Sequence, residues 1–268
     1  NTISGHSGGS SITITQGAYA IINSNTITGS SGNTAVEISR GSSATIKSNT
    51  IQSAYIGISV QDSSHAILKY NTVNSNSNSG LHVDNNASVI LAEGNTFSNN
   101  SAYGIRVWLG GSLVMWGDAQ LTSPTTISGN TKGPIRVDEG GSAYLRNLTL
   151  ASQSKEIEIY SGNFVKFENV TLQGGEFGIV VWRTNIGLEN STISGHTDAE
   201  IYAETSTITL GNTAISGTAG SNEIKLTYGS KLFIGTGTTI TGTVYCDGSV
   251  DNKSIGNWIN LSLTTSGC

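Results

Sequence analysis

The sequence predicts an all-β solenoid, a β-helix of about eleven coils with three short strands in each. Three observations lead there. The tripeptide Asn-Thr-Ile recurs at Asn1-Thr2-Ile3, Asn25-Thr26-Ile27 and Asn49-Thr50-Ile51, and in variant form at Asn71-Thr72-Val73 and Asn95-Thr96-Phe97. Looser echoes begin at Thr125, Asn147, Asn169, Asn190, Asn212 and Thr238; the steps run 24, 24, 22 and 24 residues, then 30, then 22, 22, 21 and 22 up to Asn212. Between the echoes, apolar and polar residues alternate with period two, as in half-buried strands. The composition also suits paired strand: charged residues are 12% and only 2 of 268 residues are Pro, which cannot donate to a β-ladder.

The rung from Gly80 to Asn99 shows each element in turn. Gly80-Leu81-His82-Val83 is a first strand, Asp84-Asn85-Asn86 a turn, Ala87 to Leu91 a second strand, Glu93-Gly94-Asn95 a turn, and Thr96-Phe97 a short third strand. The first strand recurs as Ala35 to Ile38, Ile56 to Val60, Ile135 to Val137, Ile157 to Ile159, Gly178 to Val181, Glu200 to Tyr202 and Glu223 to Leu226. The second recurs as Ala44 to Ile46, Ala66 to Leu68, Leu113 to Met115, Tyr144-Leu145, Phe164 to Phe167, Ile186 to Leu188, Ile208 to Leu210 and Leu232 to Ile234. Each coil offers two or three Ile, Val or Leu to a core that only stacking can bury. At about 4.8 Å per coil the stack is a rod on the order of 50 Å long. The repeated Asn is expected to form an internal amide ladder from coil to coil. Residues 1–245 are expected to form the solenoid and 246–268 a C-terminal cap.

The net charge of −5 argues against nucleic acid, whose binders carry basic stripes. No apolar run approaches the roughly 20 residues needed to cross a bilayer. The two cysteines, Cys246 and Cys268, read best as one disulfide pinning the final coil, against two free buried thiols; a metal site would need more ligands. Asp247-Gly248-Ser249-Val250-Asp251-Asn252 could coordinate Ca²⁺ but lacks the spacing of a known loop, and no cofactor or other metal is expected. No signal peptide is present. Asn1 already occupies the Asn-Thr-Ile position, and solenoids need caps, so further coils are expected to precede it.

With its Gly-Ile-x-Val and Asn-x-Ile pattern, the chain resembles the right-handed parallel β-helix (pectin-lyase-like) superfamily over residues 1 to 245. The resemblance implies a single-stranded right-handed coil. It is unspecific for function, since the superfamily includes polysaccharide lyases, polygalacturonases, alginate epimerases, tailspikes and adhesins. It implies a site on the outward face of the first strands, flanked by long loops. No intact motif of those enzymes is present. Extra sequence around Trp116 to Thr125 is the one candidate wall.

Alternation places Glu37, Ser59, His82, Arg106, Arg136, Glu158, Val180, Glu200 and Lys225 in one outward row of that face. Ser39, Gln61, Asp84, Trp108, Asp138, Tyr160, Trp182 and Glu204 form a second. Trp108, Tyr160 and Trp182 offer flat apolar faces on which sugar rings stack, with Asp84 beside them as a further binding group. Arg106 and Arg136 could hold a carboxylate or sulfate. The candidate catalytic groups are His82, Arg106, Arg136, Asp138 and Glu158: Asp138 and Glu158 as a close carboxylate pair, or His82 or Tyr160 moving a proton beside an arginine-neutralised uronate. The competing reading is a set of cross-strand pairs on a solvated sheet. A row of Thr on the third strands, from Thr2 to Thr126, resembles ice-binding solenoids, but its flanking positions vary too much for a lattice match. Thr suits any strand.

The leading expectation is an extracellular or cell-surface, bacterial-type secreted domain that recognises or adheres to polysaccharide. A polysaccharide lyase, C5-epimerase or glycoside hydrolase using the same face is the runner-up, and a passive stalk of a larger surface protein is the third reading.

Overall fold

The computed structural model describes residues 1–4, 8–116, 123–151, 157–218 and 221–247, and the backbone of two further strands, Ile255–Gly256 and Leu263–Ser266. The chain is a right-handed parallel β-helix of about ten turns and three sheets, without helix among the described residues. It divides into two compact units, Asn1–Ala143 and Tyr144–Cys268.

In the first unit the third strands form a six-stranded parallel sheet running from Thr2–Ile3 through Thr26–Thr28, Thr50–Gln52, Thr72–Asn74 and Thr96–Ser98 to Thr126–Ser128. Its register sets Thr on Thr and apolar on apolar, for instance Val73 on Ile51 and Phe97. The inward Ile27, Ile51, Val73 and Phe97 are fully buried. First strands stack likewise, with Leu81 between Ile58 and Ile105 and Val83 between Val60 and Val107. The second strands Tyr19–Asn23, Ser43–Lys47, His65–Lys69, Ser88–Leu91 and Ser112–Met115 complete the triangle. A one-residue slip would turn every core side chain outward, so this patterning disfavours such slips.

The Asn ladder is present in this unit. The Asn25, Asn49 and Asn71 carboxamides each donate to the next Asn Oδ1 at 3.1 Å, ending on Asn95. That oxygen also accepts the preceding Asn backbone N–H at 2.9–3.1 Å. A second bond from the Asn71 Nδ2 reaches the Ile46 carbonyl at 2.7 Å. Burying turn backbone leaves polar groups that water cannot reach, and the carboxamide, a donor and an acceptor in one group, satisfies both directions. A parallel ladder, not expected from the sequence, links Ala54, Asn76, Asn100 and Asn130 through 2.9–3.1 Å bonds.

The second unit repeats the coil with a change. Asn147, Asn169, Asn190 and Asn212 are not part of a buried ladder but pair at the surface, Asn169 Nδ2 donating to Asn147 Oδ1 at 3.2 Å and Asn212 Nδ2 to Asn190 Oδ1 at 2.7 Å. They sit one position earlier, at the left-handed turn (φ 44–53°) that Ser24, Ser48 and Tyr70 hold in the first unit. The ladder position itself carries Leu148, Val170, Ser191 and Thr213. Hydroxyls do part of the work there: Val170 N–H donates to Ser191 Oγ at 3.2 Å, and Ser191 Oγ donates to the Glu189 carbonyl at 2.9 Å. The last third strand and first strand merge into Thr239–Cys246, which pairs with both Ala214–Ser216 and Asn222–Thr227. Cys246 is buried and not a free thiol; its expected partner Cys268 lies outside the described residues, as do 248–252 of the Ca²⁺ candidate and 117–122 of the candidate wall.

Asn71→Ala removes a buried ladder amide and strands the Asn49 N–H and the Ile46 carbonyl. It is expected to lower the unfolding free energy by about 3–5 kcal/mol, measured by urea denaturation. Asn169→Ala, at an exposed left-handed turn, is expected to cost about 1 kcal/mol.

Candidate functional site

Of the sequence-nominated residues, His82, Asp84, Arg106, Trp108, Arg136 and Asp138 lie in the first unit, and Glu158, Tyr160 and Trp182 in the second.

In the first unit, register places His82 beside Ser59 and Arg106, and Arg106 beside Arg136. Two like charges one coil apart need a counter-charge. Asp138 supplies it: its Oδ2 accepts from Arg106 Nη2 at 3.0 Å and from Arg136 Nε at 2.7 Å. Arg136 Nη1 also donates to the Tyr103 hydroxyl at 3.1 Å. The Arg106 guanidinium lies 4.2 Å from the Trp108 ring centroid, and the Trp108 indole N–H donates to Asp84 Oδ2 at 3.0 Å. The result is one connected network from Asp84 to Tyr103.

Burial sets the electrostatics. His82 is pushed down to about 4, first by burial and then by the Arg106 charge, with Asp138 opposing. Its ring is therefore neutral at pH 7. Asp84 is raised by burial, against the Trp108 bond. Partial burial works against the Arg136 charge, but the Tyr103 and Asp138 bonds outweigh it and hold its pKa above the ordinary value. Of the seven buried side-chain N or O atoms left without a partner among the described residues, four belong here: His82 Nε2, Asp84 Oδ1, Arg106 Nε and Asp138 Oδ1. Native interiors carry few such atoms, so their concentration marks a locally under-satisfied site.

In the second unit, Tyr160 and Trp182 are register partners and stack with centroids 4.0 Å apart and planes at 23°. Tyr202 packs on Trp182 at 5.9 Å, and Phe177 meets Tyr202 edge-on at 6.0 Å. The Trp182 indole N–H donates to Glu204 Oε2 at 3.0 Å. Stacking consumes the facing sides of Tyr160 and Trp182, so they act as one platform and not two. Tyr202 belongs to this cluster and was not nominated: the outward row runs Glu158, Val180, Tyr202, Lys225. Glu200, expected in that row, lies two positions before Tyr202, is wholly buried, and is bonded to the His196 ring and backbone N–H. Its neighbour Ile201 points into the core; counting outward from Ile201 gives Tyr202 and would have found it.

Among the described residues, the loops flanking these faces are short. Four residues separate Thr96–Ser98 from Tyr103–Val107, and four more lead on to Ser112–Met115. Two residues separate Phe177–Trp182 from Asn185–Glu189. Among the described residues, no group of three or more His, Cys, Asp or Glu has metal-holding geometry, and no helix is long and apolar enough to cross a membrane.

Protonation of His82 is favoured in the unfolded chain, so its contribution to stability is full above about pH 6.5 and is lost as pH falls toward 4. His82→Gln is expected to remove about 2–4 kcal/mol of that pH dependence. Asp84 acts in the opposite sense, so the difference between parent and variant isolates His82. Parallel pH profiles of the unfolding free energy would contradict this.

Comparison with known proteins bears on the fold. A family model described as a right handed beta helix region matches residues 1–115. A crystal structure of a double mutant of AlgG, a periplasmic alginate epimerase, superposes with a TM-score of 0.51 at 11% identity, covering 93% of this chain and 78% of that one. No curated protein matches the sequence. At such identity the likeness is one of architecture: this chain has the fold of the right-handed parallel β-helices.

Proposed function

We propose that this protein recognises polysaccharide on its first-sheet face, in an extracellular or periplasmic setting, and does not turn it over. The observation that carries the reading is the half-buried Trp182, fixed by the Tyr160 stack on one side and by the Glu204 hydrogen bond at its edge. A ring already held in place loses little side-chain freedom on binding, and its apolar face with a polar edge suits a pyranose. The periplasmic alginate epimerase with which the chain shares its architecture is in keeping with a glycan partner and such a setting.

Three features favour recognition over catalysis. His82 Nε2 is buried, so it cannot reach a substrate proton without rearrangement. Asp138 Oδ2 is taken up by two guanidiniums, so that oxygen is not free to meet a substrate. The described flanking loops of two to four residues raise no wall to exclude water.

Trp182→Ala is expected to weaken binding to the best ligand on a glycan array about tenfold, or roughly 1.4 kcal/mol by calorimetry. Incubation with uronans and neutral glycans is expected to give neither unsaturated products by absorbance nor new reducing ends. Turnover of any of them would sink the recognition reading in favour of an enzyme.

A further inference from the structure

A different face of the second unit carries a trough that the first-sheet reading does not use. It lies on the outside of the second sheet and encloses about 450 Å³. Glycines make its floor. Gly187 stands in the outward row between Lys166 and Thr209, and Gly211 follows Glu189 in the next row. Gly235 continues that row one coil further on, its N–H bonded to the Leu210 carbonyl. Where other coils project side chains, these three leave the sheet backbone bare. Glycine weakens a strand interior unless something must approach the backbone closely.

One aromatic ring lines the trough and a second stands on the same face nearby. Phe164 is 48% exposed, and its ring tip lies 3.6 Å from where a Gly187 Cβ would sit. Phe233, 44% exposed, follows Thr209 in the row that contains Gly187. The rim is polar and charge-balanced. Lys166 Nζ pairs with Glu189 at 2.9 Å. Lys166 and Glu189 are the charged residues of the lining, and their pairing leaves the rim no surplus charge to attract an ion.

We propose that this trough is a second saccharide site, which takes an uncharged hexopyranose ring of a glycan. The C–H face of the sugar lies over the glycine floor against Phe164, and its hydroxyls meet Thr209, Lys166 and Glu189. An apolar floor inside a hydrogen-bonding, neutral rim matches a neutral sugar. An apolar peptide would bury the Lys166–Glu189 pair without compensation, and a uronate would find no unpaired cation.

The test is a titration of the full chain with cellohexaose, maltohexaose and mannohexaose, followed by amide chemical shifts. At least one sugar is expected to shift the Gly187, Gly211 and Gly235 amides. Gly187→Thr fills the trough, and it folds because Gly187 has no left-handed φ and its Cβ meets only an ordinary contact. It should keep or raise the melting temperature while weakening the titration at least tenfold. Phe164→Ala, at an exposed ring, should weaken it similarly, and Trp182→Ala should leave it unchanged. Shifts that survive Gly187→Thr, or no shift at these amides with any of the three sugars, overturn the proposal. Shifts confined to the surroundings of Trp182 also overturn it, while leaving the first-sheet reading intact.

Discussion

Stacking coils in parallel buries backbone at the inward-facing turns, and each buried N–H and carbonyl then needs a partner, often in the coil above or below. This constraint shapes the rest of the molecule. In the first unit the Asn25 to Asn95 ladder answers it with a group that both donates and accepts, so one side chain serves two neighbouring coils. The second unit answers it partly with the Ser191 and Thr213 hydroxyls, each of which bonds back to a carbonyl two residues before it. Between them, at Leu148 and Val170, the ladder position is apolar.

A fixed register turns the outer faces into ordered rows, and the chemistry of those faces arises from neighbours one coil apart. Arg106 and Arg136 are adjacent because their strands are paired, and Asp138 is drawn between them. Trp182 meets Tyr160 for the same reason. On the second sheet the same rule acts by subtraction. The absence of side chains at Gly187 and Gly211 opens a trough beside rings that would otherwise stand among neighbours. The polar groups of the first-unit site bond mainly to one another, and the described loops beside it are short.

Much of this was legible from spacing. The coil, its three strands and the outward rows of the first unit follow from period two within strands and from the Asn-Thr-Ile ruler. The ruler misled in the second unit because Asn suits two adjacent positions for different reasons. A carboxamide builds the buried ladder, and Asn also tolerates the left-handed turn just before it, as Asn169 and Asn190 do. The ladder through Asn76, Asn100 and Asn130 was readable as a second Asn five residues after Asn71, Asn95 and Thr125. Glu200 was assigned outward because it precedes an Ile, yet it lies inside, bonded to His196. What alternation cannot give is what covers a side chain. Trp108 was expected as an open sugar platform, but the Arg106 guanidinium lies over one of its faces, a matter of rotamers and charge. Gly187 read as one more strand residue, because a groove is a property of three coils together.

The central claim is that buried amides hold the coil register of the first unit. Native-state hydrogen exchange of the side-chain carboxamides tests it most directly. The Asn49 and Asn71 Nδ2 protons, buried and doubly bonded, should exchange only through openings whose free energy approaches that of global unfolding. The Asn169 carboxamide, on the surface, should exchange within about tenfold of a free amide. Exchange of the Asn71 carboxamide as fast as that of Asn169 would contradict the account, since the ladder would then be an ornament on a register fixed by the core alone.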